Sequence, residues 1–185
     1  MKKVLIASVL AAVALFLWGF IYWMPLATAV GIYEPAPNEA ALGQALKEQL
    51  GTADGFYFLP VDTADQAALE ARHQAGPIAF VAYRSAGGPM LDPKNLVFGF
   101  LHELASAFLM ALLLYWLAPR LRSYGERVKL VASAGFVVAF FGNLGRPIWM
   151  VQPWSFHIFH FVYEATCWLL VGAILAWFIN GSEKR

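Results

Sequence analysis

The chain has 185 residues, of which 60% are hydrophobic and 14% charged, with a formal net charge of +1. Soluble domains run nearer half apolar and a quarter charged, so an ordinary soluble enzyme and a disordered chain are excluded, and no global field exists to steer a nucleic acid. A single cysteine, Cys167, excludes a disulfide framework, a CxxC redox pair and a thiolate zinc site.

Residues 1–24 read as a transmembrane anchor. Val4 to Trp23 carries no charge and matches the roughly 20 residues that a helix needs to cross a bilayer. Lys2-Lys3, the apolar run and Ala27-Thr28-Ala29 also match a signal peptide with an A-x-A site. The apolar run is longer than a usual signal core, and Trp18, Tyr22 and Trp23 suit an interface, so an uncleaved anchor is expected.

Residues 25–95 read as a small α/β domain. Asn38 caps a helix over 39–50, ended by Gly51. Phe56 to Leu59 is a short strand stopped by Pro60. Asp62 or Thr63 caps a second helix over 64–74, and Ile78 to Arg84 is a second strand before Gly87-Gly88-Pro89. Two strands joined by a helix are expected to pair in parallel. His73, on the second of these helices, reads as a solvated surface residue.

Three further spans occupy residues 96–180: Leu96–Leu117, a short run Leu130–Gly145 and Trp154–Ile179. The middle run covers only about 24 Å and crosses if Lys129 and Arg146 snorkel or the bilayer thins. Gly135, Ala139 and Gly142 form a small-residue stripe for close helix packing. Residues 181–185 are a tail. The fold class is thus a membrane all-α four-helix bundle with a small periplasmic α/β insertion between helices 1 and 2.

Loop charge sets the orientation. The N-terminus, the 118–129 loop and the C-terminus hold eight basic residues against two acids, whereas residues 24–95 hold four against eight. The positive-inside rule puts both termini and the 118–129 loop in the cytoplasm, and the acidic segment 25–95 and the 146–153 turn on the outer side. Trp18, Trp23, Trp149 and Trp154 would then mark the outer boundary.

Ionisable groups inside a membrane are costly, so each needs a partner or a use. Five fall at similar depth: His102 and Glu103 in the second span, and His157, His160 and Glu164 on one face of the fourth. The face continues through Cys167 or Trp168 to Val171, and antiparallel packing of the two spans is expected to join the two groups. Arg146 and Asn143 enter from the third span, Arg146 balancing charge. Imidazoles and carboxylates together form a metal shell of His102, His157, His160, Glu103 and Glu164. The three histidines equally offer axial ligands to a b-type haem, and the absence of CxxCH excludes covalent haem. A proton- or quinone-linked polar pocket is a further reading, and the plain alternative is that these groups hydrogen-bond across helices or pair with an arginine.

Phe16 to Met24 and Gly76 to Arg84, with the overall arrangement, resemble small bacterial inner-membrane proteins of unassigned function. The resemblance implies location and architecture and carries over no catalytic residue. The expected role is an integral inner-membrane binding or accessory protein, with the lipid bilayer and a larger membrane complex or a homo-oligomer as partners. A metal-dependent or haem redox enzyme is the first alternative. A proton-coupled transporter is the second; it would need an oligomer, because the first span is featureless apart from Ser8.

Overall fold

In the computed structural model residues 1–61 and 64–180 are described. They form α1 (Lys2–Val30), α2 (Glu39–Leu50), β1 (Gly55–Leu59), α3 (Gln66–Ala75), β2 (Ala79–Tyr83), α4 (Pro93–Leu117), α5 (Tyr124–Trp149) and α6 (Trp154–Phe178). The tail 181–185, and Asp62 and Thr63 as expected caps, lie outside the described residues. Two compact units result: Pro35–Met90, and Met1–Glu34 with the chain from Leu91 onward. The first lies within the expected 25–95 domain.

The smaller unit follows its local signals. The Asn38 side chain accepts from the Ala41 amide at 3.0 Å, and Gly51 ends α2 at φ +60°. Asp65 caps α3, accepting from the amides of Ala67 and Ala68. The strands pair antiparallel, with Gly55 opposite Tyr83 and Leu59 opposite Ala79, which corrects the expected parallel pairing. Parallel sheets persist where helices cover both faces, and no residue of β1 or β2 is fully buried. Phe58 stacks on Phe80 with centroids 4.5 Å apart, and His73 lies 5.8 Å from Phe58, half-buried rather than solvated. Ser85 donates to Asp54 from both its amide and its hydroxyl, at 2.7 Å each. These bonds, with Arg84 nearby, hold the exposed Asp54 carboxyl below the usual range.

In the larger unit four helices are long and apolar enough to cross a membrane. Leu5, Leu109, Phe141, Leu169 and Trp177 are among the large apolar side chains left on the outside, as a lipid solvent allows. α1 runs past the expected Trp23. Pro25 has no amide to donate and its ring crowds the preceding turn, and Tyr22–Leu26 widen into a π-turn before the last turn, Ala27–Val30. α5 also outruns its apolar core: its 26 residues span about 39 Å, so the charged ends are helical and no thinning is required. Ser123 caps it, accepting from the Glu126 amide at 3.1 Å, and Glu126 accepts from the Arg122 amide. The expected loop 118–129 therefore contracts to the residues before Tyr124.

The helices pack through small residues at fourfold spacing. Ala107, Ala111 and Leu114 of α4, with Ala118 just past its end, share one buried cluster with Val4, Ala7, Ala11 and Leu15 of α1. On α5 the buried ridge is Val131, Gly135, Ala139, Asn143 and Pro147. Gly142 falls off it and is exposed, correcting the expected stripe. A Cβ on Gly135 would overlap the root of the Trp168 side chain, and one on Gly172 would lie 3.2 Å from the Val128 carbonyl. Such close approach is what small residues permit between membrane helices.

Lateral order follows from these contacts. α1 packs between α4 and α6, and α5 packs along α6. Trp18 Nε1 donates to Thr166 at 3.0 Å and Tyr22 Oη donates to the Phe159 carbonyl at 2.8 Å, so α1 and α6 run antiparallel. The C-terminal part of α1 likewise faces the N-terminal part of α4, with Phe16 and Phe100 centroids 5.7 Å apart. Both α4 and α6 oppose α1, so they run parallel to each other, not antiparallel as expected.

Candidate functional site

α4 and α6 meet only sparsely, and between them lies a cavity of about 420 Å³. His102, Glu103 and Ser106 of α4 line one side, one helical turn in all. His160, Tyr163, Glu164, Cys167, Trp168 and Val171 of α6 line the other. Leu15 of α1 and Val138 of α5 complete it. α4 and α6 run parallel, and each brings its polar turn to the cavity from the N-terminal half of its helix. Glu103 and Glu164 each stand ten residues past the first residue of their helix, about 15 Å along the axis.

Within the cavity, Nδ1 of His160 lies 3.3 Å from Oε1 of Glu164, both side chains about one-third exposed. That contact is off the hydrogen-bonding direction, so Nδ1 has no hydrogen-bond acceptor or donor. The His160 ring sits against Trp23, centroids 5.0 Å apart, and against Phe156 at 5.9 Å. Gly19 makes room for Tyr163: a Cβ there would lie 3.1 Å from its hydroxyl. Among the described residues no hydrogen bond crosses from α4 to α6 in the cavity, and no lysine or arginine lines it.

Four of the seven expected site residues are therefore brought together: His102, Glu103, His160 and Glu164. His157 is not. It is 5% exposed, and its Nε2 pairs with Gln152 Oε1 at 2.7 Å. It precedes Glu164 by two turns, about 10 Å of axial rise, so a shared helical face does not give a shared site. Asn143 is buried and donates to the Ala139 carbonyl at 2.9 Å, within its own helix. Arg146 is exposed, donates to the Gly142 carbonyl at 3.4 Å and borders a separate apolar cavity with Trp149 and Trp154. No ion pair joins it to Glu103 among the described residues. Nor, among those residues, do any three His, Cys, Asp or Glu side chains stand where they could hold one metal ion. Trp149 and Trp154 are exposed, whereas Trp18 and Trp23 turn inward to pack on α6.

Ser106 was not among the expected residues, and Tyr163 was expected only as part of an aromatic wall beside the histidines, with Phe156, Phe159 and Phe161, not as a polar group of the site. Tyr163 stands three residues after His160 and four before Cys167, on the same face, so the spacing that found its neighbours also contained it. No protein-family model, curated protein or solved structure matches this chain.

Proposed function

We propose that this is an integral bacterial inner-membrane protein of the binding or accessory kind: a four-helix bundle with cytoplasmic termini, a periplasmic insertion over residues 25–95, and the cavity between α4 and α6 as its working site. It belongs in this reading with the small inner-membrane proteins that its sequence resembles. One observation carries the proposal: two imidazoles and two carboxylates gather on one cavity inside otherwise apolar helices. Ionisable groups there persist where they pair, bond across helices or serve a ligand. Among the described residues only His160 and Glu164 pair and no bond crosses the cavity, which favours a ligand as the use.

Two measurements test it. Single cysteines at Ala53 and Ser123, in a Cys167→Ala background, should react with an impermeant thiol reagent from opposite sides, Ala53 from the periplasm. The gently solubilised protein should retain a low-molecular-mass component, found by mass spectrometry of its organic extract, that the His160→Ala/Glu164→Gln variant has lost. Equal retention by both proteins, or reaction of both cysteines from one side, refutes the reading.

A further inference from the structure

We propose that the ligand is a membrane quinone, its ring in the polar cavity between α4 and α6 and its isoprenoid tail in an adjoining apolar cavity between α1 and α4; this rests on the reading of the polar cavity as a binding site. The second cavity holds about 290 Å³ and shares Leu15, Glu103 and Tyr163 with the first. Apart from Asn95, the rest of its wall is apolar or aromatic, with Phe16, Phe20, Trp23, Met24 and Leu96. Glu103 and Tyr163 thus stand at the junction of a polar compartment and an apolar one, within helices long enough to cross a bilayer. An amphipathic molecule fits that division, its polar end reaching the ionisable groups.

The chemistry of the polar compartment selects among amphipathic molecules. A phospholipid brings an anionic phosphate, which two carboxylates repel and for which neither cavity offers a lysine or arginine among the described residues. A lipophilic cation suits the carboxylates and leaves the imidazoles, Ser106 and Tyr163 without a role. A quinone ring accepts hydrogen bonds through its carbonyls, and its quinol form donates them through its hydroxyls. The cavity supplies both kinds of partner: hydroxyls of Ser106 and Tyr163 and imidazole N–H to donate, and the carboxylates of Glu103 and Glu164 to accept. Trp168 adds an aromatic wall for a flat ring.

The test uses the full chain in nanodiscs of neutral phospholipid, reading tryptophan fluorescence, since Trp168 lines one cavity and Trp23 the other. The probes are a tailless benzoquinone, the same ring with two isoprene units, and tetraphenylphosphonium as the lipophilic cation. Quenching by both quinones should saturate, the tailed one binding more tightly. Gly99→Leu should weaken the tailed quinone by about tenfold or more and leave the tailless one unchanged. Gly99 lines the apolar cavity and a Cβ there meets nothing within 4 Å, so the added side chain starts in open space at the cavity wall. Glu103→Gln and Glu164→Gln, which preserve shape, should weaken binding of the dithionite-reduced quinol form of both probes, whose hydroxyls donate to the carboxylates, and should not weaken the oxidised rings, which only accept. Unsaturable quenching, or equal loss for both quinones in Gly99→Leu, overturns the quinone assignment. Saturable binding of tetraphenylphosphonium alone, sensitive to Glu164→Gln, also overturns it and leaves the cavity as the site. Binding of no probe, with an extract unchanged in His160→Ala/Glu164→Gln, overturns both.

Discussion

Gly135→Ala tests the packing that holds the cavity wall in place. The added Cβ would overlap Cβ, Cγ and Cδ1 of Trp168, atoms at the base of that side chain. Atoms at the base cannot swing aside as a flexible tip does. Either α5 and α6 separate along the Val131–Pro147 ridge, or Trp168 leaves its rotamer for the cavity. Overpacking of this kind costs typically about 1–3 kcal/mol, and the contact with fixed atoms argues for the upper part of that range. Alanine returns about 0.5–1 kcal/mol through its better helix propensity. The net loss is then about 2 kcal/mol, or about 4–8 °C in Tm for a chain of this size. Gly142→Ala is the matched control: same helix, same chemistry, exposed, and nothing within 4 Å of the new Cβ. It should be neutral or raise Tm slightly. Thermal unfolding followed by intrinsic fluorescence in one detergent compares the two. If Gly135→Ala loses no more than Gly142→Ala, the close approach of α5 to Trp168 is refuted.

Three further outcomes are expected. Trp18→Phe and Thr166→Val should each cost about 0.5–1.5 kcal/mol by removing the 3.0 Å bond between α1 and α6; in a double-mutant cycle the effects should be less than additive, and strict additivity would deny the bond. Val151, in the turn between α5 and α6, sits at φ +52°, where a side chain costs about 1–2 kcal/mol. Val151→Gly relieves more strain than the roughly 0.5–1 kcal/mol of flexibility that it adds, so Tm should rise, and a fall would contradict the strained turn. Because the folded Asp54 carboxyl is held below its ordinary value of about 3.9, the stability that it contributes is fully present above that value and lost as pH falls through the lowered one. The Ser85 amide resonance should report this with a midpoint below the ordinary value; a midpoint at or above it refutes the Asp54–Ser85 link.

Local signals carried much of the secondary structure. Asn38 and Gly51 bound α2 as their cap chemistry requires, because a cap is decided by neighbours in the chain. The four spans were legible from hydropathy, yet their ends were not. α1 continues through Pro25 because a π-turn absorbs the proline, and α5 begins at Tyr124 because the Ser123 and Glu126 caps outweigh the charges that end the apolar run. The strand direction was missed for another reason. A connecting helix permits either pairing, and what excluded the parallel one was an uncovered sheet, which no local pattern reports.

The site divides along the same line. His160, Glu164, Cys167, Trp168 and Val171 share one helical face, and that face lines the cavity. Angular position is written in the sequence at a period of 3.6 residues, but height along the axis matters equally, and it separates His157 from Glu164. The direction of α4 relative to α6 was implicit in the count of crossings: spans two and four enter from the same side, so Glu103 and Glu164 both lie in the half of their helix nearer that side. What no count could give was the lateral order. α1, lacking any Asp, Glu, His, Lys or Arg between Val4 and Trp23, lies between α4 and α6 and contributes Leu15 to both cavities, with Gly19 and Trp23 beside Tyr163 and His160. Its one mid-span hydroxyl, Ser8, donates to the Val4 carbonyl at 2.8 Å and asks nothing of its neighbours. The polar groups that α1 does send outward, Trp18 and Tyr22, bond to Thr166 and to the Phe159 carbonyl of α6, so α1 keeps α4 and α6 apart without a hydrogen bond, among the described residues, to the histidines and carboxylates of the cavity.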